Sequence, residues 1–476
     1  MSIRNKILAC AFVLVSSSAW CDVFVHWTSS ALPPPAAELG VNDIVLSWND
    51  GFSVQANAIR KQGYRVYVEV SLDRAAAAAD AANGLAGVIL IVHSTESAAL
   101  QKSLPKLRSA HRDLRFVVLD PDGKRPEMRG SLVIKRNSVL EVSSPTAQPW
   151  IDSNLSLVKI EQLFNPQQVP SYTFSWGSSS GQQEPALTAD DYSLAVAEAG
   201  AFHADLVLEL DDHLEENLSK RDPQARTLWN RVRTYAEFYS HVPKRAMKTA
   251  ANVAIVVDDL DPSDEVMNLL ARHNIPFKVL HPGDLASAGL KTFDVVVVFA
   301  KPDKAATERI RELANSGMTC VLVDAHGAYN WQDGHPVRLN EHAVSYSAGK
   351  GKVLELSEPV TDPETFAQDI RRLLGTQNAL ISLWNGLTTI AVPYNEHGGG
   401  VTELELINYS ADPLRLQVQV KGSYDSIRYE TPQRPCCESL VPVKHNGSTE
   451  FVIPELRIAG RVHLDAKPGP DARPSR

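Results

Sequence analysis

Short apolar, β-branched runs recur through the first half of the chain, with helix-patterned stretches between them. The runs fall at residues 23–27, 43–48, 64–70, 87–93, 115–120, 138–142, 171–176 and 204–210. Strands that alternate with helices pair in parallel, because each crossover needs a helix to return the chain to the same end of the sheet. Eight such strands predict a compact (β/α)8 TIM-type barrel over residues 22–243. The stretch 120–149 is irregular, with turn clusters at Pro121-Asp122-Gly123 and Arg136-Asn137, so an incomplete barrel is the rival arrangement. Thr188 and Asp191 open one helix with a capping box. Asp222-Pro223 opens another, with proline suited to its first turn.

The pattern then changes twice. Apolar runs at 251–258, 276–280, 294–300, 318–324 and 352–356 alternate with helices at 263–273 and 304–316. They predict an open, flavodoxin-like α/β domain over 250–375. A helix capped by Asp362 closes it. From residue 378 to 465 short strands and tight turns replace the helices. Strict alternation in Thr402-Glu403-Leu404-Glu405-Leu406 and in residues 415–420 predicts a β-sandwich buried on one side of each strand. The tail 466–476 is rich in proline and charge and is expected to be disordered.

The first residues carry Arg4 and Lys6, then an apolar run at 7–15, then small residues up to Cys21. This reads as a signal peptide over 1–21, with cleavage near Asp22 and a periplasmic or secreted product. An uncleaved anchor is the alternative. The run falls short of the ~20 residues of a membrane span, and no later segment reaches that length, so no transmembrane segment is expected after signal removal. A net charge of -9 without a basic stripe argues against nucleic acid. Three cysteines lie beyond the signal segment: Cys320, Cys436 and Cys437. They make neither a disulfide framework nor a zinc site. The vicinal pair Cys436-Cys437 can close a ring or stay reduced.

Three segments carry a resemblance: Gln148-Pro149-Trp150-Ile151-Asp152-Ser153-Asn154, Ala197-Glu198-Ala199-Gly200-Ala201-Phe202 and Ile458-Ala459-Gly460-Arg461-Val462. They resemble segments of uncharacterised secreted bacterial glycoside-hydrolase-like proteins. The order of barrel, glutamine-amidotransferase-like α/β domain and C-terminal β domain resembles that of family 42 glycosidases. The resemblance implies a carbohydrate ligand at the barrel mouth and a homo-oligomer formed through the middle domain. It does not imply amide chemistry here, because Lys301-Pro302-Asp303-Lys304 follows the third middle strand without cysteine or glycine. The acidic group Asp258, Asp259 and Asp261 reads as a solvated loop or as a ligand site at a strand end.

Glycoside hydrolysis uses two carboxyl groups that flank the bond, and in barrels such residues sit at strand C-terminal ends. The fourth and seventh strands end in Ile91-Val92-His93-Ser94 and Phe174-Ser175-Trp176-Gly177, without a carboxylate. Alternation sends Arg65, Tyr67 and Glu69 inward, and likewise Glu209 and Asp211, while Asp120 follows strand five. Glu69, Asp120, Glu209 and Asp211 are therefore the catalytic candidates. Arg65 pairing with Glu69 or Glu209 is the structural alternative. Trp27, Trp48, Trp150 and Trp176, with His93, are the candidate substrate-binding residues, since aromatic faces stack on sugar rings. His26 and His93 lack a third metal ligand, and neither a metal nor a cofactor is expected. The reading is a glycoside-hydrolase-like protein that binds, and as an enzyme hydrolyses, an oligosaccharide. A catalytically inactive carbohydrate-binding or envelope-assembly protein is its alternative.

Overall fold

The computed structural model describes residues 22–465, apart from 50, 93–95, 120–133, 137–138, 142–152, 165, 167–168, 174–186, 241–246, 259–261, 287–289, 291, 397–399 and 411. The expected signal peptide, the tail, and the candidates His93, Asp120, Trp150 and Trp176 lie outside the described residues, as do Asp122, Asp259 and Asp261.

The first sheet has seven parallel strands: β1 (Val23–His26), β2 (Asp43–Ser47), β3 (Arg65–Ser71), β4 (Gly87–Ile91), β5 (Arg115–Leu119), β6 (Ser171–Thr173) and β7 (Asp205–Glu209). Their spatial order is β5-β4-β3-β2-β1-β7-β6, and the edge strands β5 and β6 come into contact, so the barrel is nearly closed. The run at 138–142 does not supply the eighth strand. Val139–Glu141 instead pairs antiparallel with Ile134–Arg136 as a separate hairpin.

Period-two alternation fills the barrel in layers. Phe24, Val45, Tyr67, Ile89, Val117 and Val207 pack together inside, while the residues between them face the surrounding helices. Gly87 is required at its place: a Cβ there would fall 2.2 Å from the Arg115 carbonyl and 2.7 Å from the Tyr67 ring. Below the apolar layer, at the strand N-terminal ends, Arg115 bridges Asp22 (2.6 Å) and the fully buried Asp205. Arg65 donates through Nε to Asp43 at 2.8 Å. Arg65 thus belongs to the closed end of the barrel and pairs with neither Glu69 nor Glu209. Its position at the start of β3, two layers below Glu69, explains the difference. Burial pushes the Asp43 carboxyl up to about 6 against the pull of Arg65.

Four helices of the barrel matter below: α1 (Leu155–Phe164), α2 (Ala189–Ala201), α3 (Asp212–Ser219) and α4 (Pro223–Tyr239). The capping box on Thr188 and Asp191 and the Asp222 cap both form as the sequence predicts.

The middle domain is flavodoxin-like. Five parallel strands, Val253–Val256, Phe277–Leu280, Val295–Val298, Thr319–Leu322 and Gly351–Leu356, stand in the order 2-1-3-4-5. Two antiparallel strands, Ala343–Ala348 and Pro336–Arg338, extend its edge. Cys320 is buried within the sheet as a small apolar residue.

The C-terminal domain packs a six-stranded antiparallel sheet on a four-stranded one, with Leu404, Leu406, Leu416, Val418, Phe451 and Ile453 between them. The strand Leu414–Lys421 buries one face only, as its alternation predicts. The strand Glu403–Asn408 does not: every residue is buried, because its second face packs on α2. Glu403 and Glu405 are therefore inside the protein, with Arg461 donating to Glu405 at 2.6 Å. Among the described residues no helix is long and apolar enough to cross a membrane.

Candidate functional site

The open, C-terminal end of the barrel strands is set by the same alternation. One step above the apolar layer, β1, β2, β3 and β7 present His26, Ser47, Glu69 and Glu209. His26 is the hub. Its Nε2 lies 3.2 Å from Ser47 Oγ, and its Nδ1 lies 3.8 Å from Glu209 Oε1. The imidazole is buried, whereas about half of the Glu209 side chain is exposed.

Helix α3 closes this end from one side. Asp211 caps it, accepting from the Leu214 amide at 2.9 Å, while the Tyr192 hydroxyl donates to its other oxygen at 2.8 Å. One turn on, Glu215 turns back to the loop after β1. It accepts from Thr28 Oγ1 at 2.9 Å and from the Ser29 amide.

The electrostatics follow from burial beside other charges. Burial raises the Glu69 carboxyl above its usual range, the charge of Glu209 raises it further, and His26 opposes both. Burial works against protonating His26. Its interaction with Glu209, with the charges of Glu69, Glu209 and Glu215, outweighs that and raises its pKa. Glu215 is raised by burial in spite of its bonds to Thr28 and Ser29. Clusters of ionisable groups shifted by burial and by one another are a common feature of catalytic sites.

Of the expected catalytic residues, Glu69 and Glu209 come together around His26. Asp211 does not join them, because both its oxygens are engaged in capping α3 and anchoring Tyr192. Of the aromatic candidates, Trp27 is a correction: its ring is 1% exposed and its Nε1 donates to the Ala31 carbonyl at 2.8 Å, so no sugar can reach it. Trp48 is half-buried and stacks on Phe52 at 4.9 Å. Sequence reasoning missed Ser47, Thr28, Ser29 and Glu215. Only for Ser47 does the sequence hold a signal, the two-residue period of β2 that brings it to the same side as Val45. Two groups of metal-ligand type occur among the described residues, both involving the C-terminal domain and neither at the barrel mouth.

No family model matches the sequence, and no curated protein does. Solved structures do match. α-L-Fucosidase isoenzyme 2 from Paenibacillus thiaminolyticus superposes with a TM-score of 0.55 at 11% identity, over 94% of this chain and 100% of that one. The β-galactosidase of Rahnella sp. R3 gives 0.48 at 10% identity, over 92% and 99% of the two chains. That of Bacillus circulans sp. alkalophilus gives 0.48 at 9%, over 91% and 99%. The chain has a glycosidase-like fold, shared with the fucosidase along nearly its whole length.

Proposed function

We propose that this protein is exported and binds an oligosaccharide at the open end of its barrel, where Glu69 and Glu209 act on a glycosidic bond. The observation that carries the reading is the placement of these two glutamates on either side of His26. Glu69 is half-buried, and desolvation makes it retain its proton to a higher pH than a free glutamate, which suits it to protonate the leaving oxygen. Glu209 is half-exposed, open to substrate and water, and takes the second carboxyl role, as nucleophile or as base for a water. His26 is a positioning residue that holds Glu209 and tunes Glu69. Trp48, on the rim, supplies an aromatic face for a sugar ring.

A catalytically silent carbohydrate-binding or envelope-assembly protein is the second reading. The described end of β4, Ile91-Val92, favours it, because that position lacks the carboxylate a retaining barrel glycosidase ordinarily carries. Contacts between copies are assigned to the flavodoxin-like domain, a point for sedimentation of the intact protein.

Glycan-array binding followed by a hydrolysis assay on each hit separates the readings. Cleavage abolished in Glu69→Gln and Glu209→Gln supports the enzyme. Binding without cleavage leaves the silent protein, and absence of binding removes the carbohydrate altogether. N-terminal sequencing of the protein recovered from the periplasm or medium tests export, with Asp22 as the expected first residue.

A further inference from the structure

The outer edge of the six-stranded sheet carries a cluster that the barrel chemistry does not use. The strands Ser426–Thr431 and Arg434–Leu440 pair antiparallel, and their register shifts between Tyr429 and Thr431, beside Glu430. Across that irregularity lie Cys436 and Cys437, joined to each other by a disulfide. Cys436 is exposed and Cys437 half-buried, on the last strand of the sheet. The two sulfurs and a Glu430 carboxylate oxygen all lie within 4.8 Å of one another.

We propose that Cys436 and Cys437, once reduced, form with Glu430 a binding site for a soft or borderline divalent cation of the zinc and cadmium class, opened and closed by thiol–disulfide exchange. Two thiolates and one carboxylate are the donor set such ions take, with water in the remaining position. The carboxylate is already fixed. Arg461 donates to Glu430 Oε1 at 2.9 Å, and His463 Nε2 lies 3.1 Å from the same oxygen. Outer contacts of this kind orient a ligand before the ion arrives. No hydrogen bond to Oε2 occurs among the described residues, so that oxygen is open to a ligand. The edge strand leaves the sulfurs accessible to reductant and to metal.

The chemistry balances in two steps. A dithiol reductant attacks the disulfide, gives up two electrons and two protons, and leaves as its own cyclic disulfide while Cys436 and Cys437 become thiols. The cation then displaces two protons to solvent as both thiolates bind. The other group of ligand type, His203, Glu403 and Glu405, does not compete. There the Arg461 guanidinium stands where a cation would, 2.6 Å from Glu405 and 3.7 Å from Glu403. Cys320 is enclosed within the middle sheet and stays out of the exchange.

The test uses the full chain, reduced with dithiothreitol, freed of it under anaerobic conditions and titrated with Cd²⁺. One ion per chain, with the ultraviolet thiolate-to-metal charge-transfer band, is the expected result. The oxidised chain should take up none, and re-oxidation should release the ion. Cys436→Ser with Cys437→Ser should abolish uptake, and Glu430→Gln should weaken it about tenfold or more. A reduced chain that binds no Cd²⁺, or uptake undiminished in the double variant, overturns the site. Undiminished affinity in Glu430→Gln overturns the three-ligand arrangement. The oxidised and reduced forms are one polypeptide, so the comparison stands even where a variant fails to fold.

Discussion

The side-chain amide of Asn154 donates to Glu198 Oε1 at 2.8 Å, deep inside the protein. Glu198 is 1% exposed on α2, and its other oxygen receives the hydroxyl of Tyr409 from the C-terminal domain. One buried carboxylate thus ties the start of α1, the helix α2 and the C-terminal sheet together. Two of the segments that carry the resemblance meet here. The third acts nearby, where Arg461 reaches Glu405 and Glu430. Gly200 allows the same closeness: a Cβ would fall 2.1 Å from the Tyr239 ring. Asn154 and Glu198, from two of these segments, thus stand at a joint between the barrel and the C-terminal domain.

Glu198→Ala should destabilise the protein by about 2–4 kcal/mol, because it removes the buried carboxylate to which both Asn154 and Tyr409 donate. Urea unfolding should show the loss as a lower midpoint at unchanged slope. A shift under about 0.5 kcal/mol would mean that the junction is held by packing alone.

Much of the fold was legible in the sequence, and less of the site. Alternation named the inward residues of β3 and β7 correctly, because inside and outside of a barrel differ sharply in polarity. It failed at Asp211, where the strand had already ended at Glu209 and the next element's capping demand took over. It failed again at Glu403 and Glu405. An alternating strand announces one apolar face but does not reveal that a neighbouring domain covers the polar one. Arg65 was assigned the right face and the wrong height, since period two fixes direction and leaves the position along the barrel axis to the register. Glu215 gave no signal, because its role depends on a loop about 190 residues away in the chain, at Thr28 and Ser29.

Lys159 predicts a pH dependence of stability. It is buried on α1, with Nζ donating to Thr249 Oγ1 at 2.5 Å and lying 5.5 Å from the centre of the Tyr394 ring. Burial, helped by the charge of Lys278, lowers its amine to about 7. Between that value and the ordinary lysine range the unfolded chain binds a proton that the folded chain does not. Stability therefore rises with pH through this window and is lowest below about 7. Lys159→Met removes the titrating group. Its stability relative to the native chain should be most favourable below about pH 7 and should lose that advantage, on the order of 4 kcal/mol, as pH rises through the window. Paired urea titrations across that range check it, and a pH-independent difference would refute the buried-amine account.

A second pH effect belongs to the barrel mouth. His26 opposes the upward shift of the Glu69 carboxyl. His26→Gln takes that opposition away, so the carboxyl should titrate higher. Where Glu69 is the proton donor, activity falls as it ionises, and the alkaline limb of the pH–rate profile should move to higher pH in the variant. A profile that only scales down, with its alkaline limb fixed, would assign His26 a purely structural part and separate Glu69 from the proton transfer.

Trp27 and Trp48, both candidates for sugar binding from the sequence, are separated by the structure into opposite roles, and a pair of substitutions tests that separation. Trp27 is enclosed, with its indole N–H on the Ala31 carbonyl. Trp27→Phe removes that bond and part of the packed volume, so it should cost about 1–3 kcal/mol of stability. Ligand affinity, measured on the folded fraction, should stay the same. Trp48 keeps part of its ring at the surface beside Phe52. Trp48→Ala should cost about 1 kcal/mol in folding, the order of one lost aromatic pair. Its effect on a glycan hit should be larger, about tenfold in Kd, since a stacked sugar loses its platform. Isothermal titration and urea unfolding on the same two variants give all four numbers. Reversal of the pattern, with Trp27→Phe weakening the ligand and Trp48→Ala leaving it unchanged, would move the binding surface away from the β2 rim.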